Sequence, residues 1–349
     1  MRKVLLILLS ISAVFLLCQP AAAMEFEAPD APKEAYGYMP PEEETFGQGL
    51  WKIFTDGINA VLPMLGEAAV QCAGFVGIAV LLSFSKSLSS QSEGVVNLAG
   101  IALIAGILLQ SSNTMIHLAV DTVKEITDYG NLLLPVMTGA MAAQGRSVTA
   151  ASLYTATAAF STVLSNIISN LLAPILYVYI LLSVVQCATG DKTVEKAAKF
   201  IKWICTWGLK ISLYVFTGYM SITGAVTGST DAAKLKAAKL TISGMVPVVG
   251  GILSDASESI LVSAGIMKNA AGVYGLFVFA SLLIEPFLRI GFQYLLLKAT
   301  AAICESFDIK QVSDLLKGFS TTMGLLLAMT GSVCLMLTIS VVCFMKGVS

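Results

Sequence analysis

The stretch FSTVLSNIISNLLAPILYVYILLSVVQCA, residues 160–188, runs for 29 positions without one Asp, Glu, Lys, Arg or His. A helix needs about 20 consecutive apolar residues to cross the hydrocarbon of a bilayer. Backbone amides have no water to bond there, so a spanning segment of this composition must be helical. Working outward, comparable apolar stretches occur at about 62–83, 94–113, 203–226, 272–297 and 320–345. The expected fold is therefore all-α: a polytopic helical membrane protein with about six transmembrane helices.

The whole composition agrees. Of 349 residues, 56% are hydrophobic and only 12% are charged, against about 25% charged in an ordinary soluble domain. Lipid is the first partner this implies. A formal net charge of −1 argues against nucleic acid as a partner. Seven cysteines lie scattered in or beside apolar segments, without a CxxC or a histidine-paired spacing. They read as small hydrophobes rather than a disulfide or metal framework. No nucleotide loop or zinc signature is present, and neither His117 nor the SFSK stretch (Ser83–Lys86) has the companions that catalysis would need. No enzymatic activity and no cofactor are expected.

The beginning of the chain reads as an export signal over 1–23: Arg2 and Lys3, an apolar run from Val4 to Leu17, and Ala21-Ala22-Ala23 before Met24. An uncleaved anchor is the alternative. Residues 24–45, with Pro40-Pro41-Glu42-Glu43-Glu44, are acidic and proline-rich and read as an external tether, with the mature N-terminus outside. Phe46, Leu50, Phe54, Ile58 and Val61 recur at helical spacing, which predicts an interfacial helix over 46–61. A helical pair over 62–120 follows.

The remainder compares with itself. Shifted by 112 residues, Pro135 falls on Pro247, Gly139 on Gly251 and Pro174 on Pro286. LPVMTGAM (134–141) then overlies VPVVGGIL (246–253). The expectation is a tandem repeat, 121–228 and 229–349, each copy carrying a broken segment, about 132–157 and 244–269. Each broken segment is either a re-entrant hairpin or a single unwound span. That choice decides whether the repeats are parallel or inverted, and the lysine distribution leans towards hairpins.

Two places stand out as candidate sites. In MVPVVGGILSDASESI (Met245–Ile260), Pro247, Gly250 and Gly251 break the backbone, and Ser254, Asp255 and Glu258 follow in the first turn of the next helix. The bland reading is a well-capped helix start. The sharper one is a gate or docking turn in a wet cavity, with Pro135 and Gly139 as the repeat-equivalent break. The second place is the intramembrane pair Glu285 and Arg289, four residues apart beside Pro286 and able to bond each other. Glu67 and Lys210 lie nearer span ends, where long side chains snorkel.

The acidic external segment, the multi-span pattern, Pro247-Val248-Val249-Gly250-Gly251 with Ser254-Asp255-Ala256, and KNAAGVYGLFVF from Lys268 resemble the stage III sporulation protein AE family. The resemblance implies a non-enzymatic core or gate in a channel-like, secretion-like complex linking mother cell and forespore. It would sit in the mother-cell membrane around the forespore. Implied partners are other proteins of the same stage III A operon, including a separate ATPase subunit, and a forespore membrane protein. Homo-oligomers are compatible with the same role. Autonomous secondary transport with paired broken helices is the alternative.

Overall fold

The computed structural model describes residues 27–41, 44–88, 93–245, 250–307 and 309–346, without side chains at 85–97, 221–265 and 267. The expected signal segment and Pro247 lie outside the described residues, as do the side chains of Gly250–Glu258. Among the described residues the chain is helical throughout, as its composition requires. A single turn, α1 (Lys33–Tyr36), precedes the long helices α2 (Phe46–Leu88) and α3 (Glu93–Ala143). Then come α4 (Ser147–Ile167), a π-helical turn (Ile168–Leu172), α5 (Ala173–Thr189), α6 (Lys192–Met245), α7 (Gly250–Ser306) and α8 (Lys310–Lys346).

Among the described residues five segments are long and apolar enough to cross a membrane: Phe46–Phe84, Leu98–Ala143, Ser147–Thr189, Lys268–Ser306 and Lys310–Lys346. The further span expected at 203–226 lies within α6, whose side chains beyond 220 are not described. The rods are longer than the sequence reading suggests. The interfacial helix expected at 46–61 is continuous with the apolar 62–83 in α2, and Pro63 sits inside that helix. A lone internal proline frees a carbonyl without stopping a helix that its neighbours hold.

α8 is the centre of the bundle. It packs against α3, α4, α5, α6 and α7, most extensively α7. Its buried residues recur from Val312 to Phe344 on more than one side, among them Leu316, Phe319, Met323, Leu326, Val333 and Leu337. A helix apolar nearly all round is what a central position requires. Close approach is set by small residues: a Cβ on Gly318 would lie 2.8 Å from the Ser183 Cβ of α5.

At Pro174 the structure shows how a rod absorbs a proline. The preceding turn widens to a π-turn, in which the Ala173 N–H donates to the Ile168 carbonyl. The ring is thereby seated within the first two positions of α5, where the missing N–H costs nothing. Its counterpart by the 112-residue shift, Pro286, lies within α7 without a described π-turn.

Candidate functional site

α3 has two faces of opposite character. Ile104, Leu108, Met115, Ile116, Ala119, Val123, Ile126, Leu133 and Met137 are buried in the bundle. The outward positions Gln110, Asn113, His117, Asp121, Lys124, Asp128 and Asn131 are all exposed and all polar. Their spacing of three and four keeps them on one side of the helix. At 1.5 Å per residue the stripe is about 32 Å long, close to the roughly 30 Å hydrocarbon thickness of a bilayer.

The stripe lies alongside segments apolar enough to be spans. At one end Tyr177 of α5 donates to Asn113 Oδ1 at 2.6 Å, and Gln293 Nε2 of α7 approaches Ser111 Oγ at 3.5 Å. Towards the other end Gly130 meets Leu337 of α8, with a would-be Cβ 2.9 Å from Leu337 Cδ1. Asn166 and Asn170 are also exposed and joined by a hydrogen bond of 3.3 Å. Other faces are different: Leu171, Val178, Leu181 and Val185 on the rod of α5, and Phe200, Trp203, Trp207 and Tyr214 on α6, are exposed and apolar or aromatic. Phe200, Trp203 and Trp207 stack in series beside Lys199 and Lys202, the composition of an interfacial belt.

Next to the stripe a cavity of about 540 Å³ opens between α2, α3 and α7. Glu67, Gln71, Ser111, Arg289 and Gln293 line it together with Met64, Met115 and Phe292. Two of the four charges singled out from sequence, Glu67 and Arg289, thus share one polar space. Glu285 does not take Arg289 as its partner among the described residues. It accepts a hydrogen bond of 2.8 Å from the Tyr38 hydroxyl. The expected intrahelical pair is replaced because a docked segment supplies a neutral donor to Glu285 while Arg289 opens onto the cavity.

That docked segment is the acidic N-terminal stretch. Its residues 27–41 lie across α3 and α7 rather than trailing free. Ala31 and Ala35 are buried, and the Tyr129 hydroxyl donates to the Pro29 carbonyl at 3.3 Å. Such a sequence has too few large apolar residues to fold alone, but here it borrows the bundle's core. Burial, and then the bond to Glu285, push the Tyr38 hydroxyl from 10.0 up to about 12.

The expected broken segment at about 132–157 does turn, but not at Pro135 and Gly139. Both residues lie inside α3, and the chain turns ten residues after the proline, at Gln144-Gly145-Arg146, where Gly145 has φ 80°. Glycine is needed there, because an L side chain disfavours that region. The arms of the turn are the ends of two long helices, which differs from both a short re-entrant hairpin and an unwound span. Gly250 and Gly251 begin α7, and Ser254, Asp255 and Glu258 fall in its first turns. Hydropathy ends the apolar stretch near 113 and does not reveal the α3 stripe. The three- and four-residue spacing of Asn113, His117, Asp121, Lys124 and Asp128 was the available signal. Among the described residues no cluster of three or more His, Cys, Asp or Glu side chains is placed to hold a metal ion.

A family model described as stage III sporulation protein AE matches residues 35–347. The chain is also similar to a protein of Bacillus subtilis (strain 168) named stage III sporulation protein AE, 24% identical over 231 residues. That alignment covers 66% of this chain and 58% of the relative's length. No solved structure matches. The chain belongs to the stage III sporulation protein AE family.

Proposed function

We propose that this member of the stage III sporulation protein AE family is a non-enzymatic core component of a channel-like complex joining mother cell and forespore. In this reading it sits in the mother-cell membrane with its mature N-terminus outside. It works with other stage III A proteins, a separate ATPase subunit and a forespore membrane partner. The single observation that carries the reading is the polar stripe of α3. A row of Asn, His, Asp and Lys side chains about as long as a bilayer is thick is too costly to leave against lipid. It therefore borders water or a polar partner, as the wall of a conduit does. Glu34, Asp121 and Asp128 each lie within electrostatic reach of Glu125, so that wall is locally acidic and favours cations.

The test is site-directed thiol labelling in native membranes. Cysteines introduced at Asp121, Lys124 and Asp128 react with a charged, water-soluble reagent, while a cysteine at Leu181 does not. Protection at all three stripe positions in cells making the whole operon, and reaction in cells making this chain alone, identifies a partner-covered wall. Absence of reaction in both cell types, with Leu181 equally silent, counts against any aqueous or partner-facing role.

The cavity holding Glu67 and Arg289 favours a second reading, autonomous secondary transport, because paired polar groups within a span are where such proteins bind solute. Purified chain in liposomes separates the two. Solute uptake by the chain alone supports the transporter. Co-purification with sporulation partners and no flux alone supports the complex.

A further inference from the structure

The corner where α3 turns into α4 contains a charge that has no counter-charge among the described residues. Lys268, the first residue of the KNAAGVYGLFVF stretch, has 0% of its surface exposed. Its one described partner is Gln144 Oε1, at a long 3.4 Å. Gln144 is itself only 8% exposed, and its Nε2 has no hydrogen-bond partner. The charged neighbour acting on Lys268 is Arg146, of the same sign. On its own helix, Asp255 and Glu258 lie ten or more residues earlier, at least about 15 Å away along the axis. α4 starts at Ser147, immediately after Arg146, and adds the positive end of a helix dipole.

Burying an ammonium costs several kcal/mol unless an opposite charge accompanies it. The corner offers an ammonium, a guanidinium and an orphaned amide N–H. All are donors, and an anion with several acceptor oxygens satisfies them together. The level of the corner in the bundle narrows the anion's class. The helices α3 and α4, each holding a candidate span, end at Ala143 and begin at Ser147, so the corner lies at one end of both. One turn deeper, Gly272 sits against Met345 and Met137, so α3, α7 and α8 reach this level together. Span ends are where lipid phosphates lie, and basic pockets between helices at that depth hold anionic headgroups.

We propose that Lys268, Arg146 and the Gln144 amide form a binding site for a phosphate-bearing anion, supplied either by a phospholipid headgroup or by free phosphate. Half-buried Arg146 is the entrance and fully buried Lys268 the inner contact. The site lies apart from the α3 stripe and does not depend on the conduit reading.

The experiment uses the full chain in neutral detergent, with native mass spectrometry and thermal unfolding as readouts. Phosphatidylglycerol, phosphatidylcholine and inorganic phosphate are added separately. Phosphatidylglycerol retained on the intact protein, raising its unfolding midpoint, supports a lipid site. The same midpoint rise with inorganic phosphate alone supports the site with free phosphate as its source. In K268Q, affinity falls about tenfold or more, the size of one lost charge-assisted contact, and K268R restores it. R146Q, at a half-buried position, weakens binding in the same direction. The proposal is overturned if wild type and R146Q bind phosphatidylglycerol and phosphate equally weakly. It is also overturned if K268Q folds and binds both like wild type.

Discussion

Tyr38 shows how much one hydroxyl decides at the residue scale. A segment of Glu, Pro and Ala has little drive to fold, yet Tyr38 fixes it to α7 through Glu285. Replacing Tyr38 by Phe keeps the ring and removes the bond, an expected loss of about 1 kcal/mol. The loss appears as faster proteolysis of residues 27–41, with the midpoint of the whole bundle little changed. The same contact is pH dependent. Its folded value, about 12, lies above the free 10.0. The contribution is therefore whole below pH 10 and is lost as pH rises through about 12. Proteolysis of wild type should accelerate across that window and Y38F should show no such step. An equal step in both would place the titration elsewhere.

The elements are rods joined by tight turns, and each turn or close approach rests on a particular residue. Gly318 lets α8 touch α5 at Ser183, and Ser183 Oγ is already committed to the Tyr179 carbonyl at 2.9 Å. A β-carbon cannot rotate away as a side-chain tip can. G318A should thus cost about 1–3 kcal/mol from overpacking, read as a lower unfolding midpoint in detergent. Adding S183G should recover much of it, since the clash is a pairwise term. Equal destabilisation in single and double variants would show that the contact is not the cause. Gly145 does the comparable work at the α3–α4 turn through its positive φ.

At the scale of the molecule, lipid-facing and polar faces are divided among helices. Aromatic and aliphatic side chains face outward on α5 and α6, while α3 over 110–131 presents Asn, His, Asp and Lys, with exposed Leu109 and Leu132 at the two ends of that stretch. Replacing Asp121, Lys124 and Asp128 together by Leu tests what that polar face is for. A lipid-facing helix would accept the change and insert more readily. If the face borders water or a partner, the variant accumulates in the membrane at wild-type level while heat-resistant spores are lost. Wild-type sporulation by the triple variant would remove the stripe from the proposed function.

By itself the sequence determined the class of this protein. Charge-free runs such as 160–188 leave a membrane helix as the one way to satisfy their backbone, and PVVGGILSDA with KNAAGVYGLFVF carried the family. Where the helices end was only partly legible: Pro135 and Pro174 mark irregularity, but prolines are tolerated inside rods held by neighbours. The true turn at Gly145 depends on where α3 and α4 pack. Partners of single charges were beyond reach as well. Glu285 meets a tyrosine 247 residues away, and Lys268 an amide 124 residues away. Hydropathy ranks segments by average composition, whereas the side of a helix that meets lipid, water or protein is set by its neighbours in space. Only the tertiary structure could therefore show that Asn113, His117, Asp121, Lys124 and Asp128 form one exposed polar face.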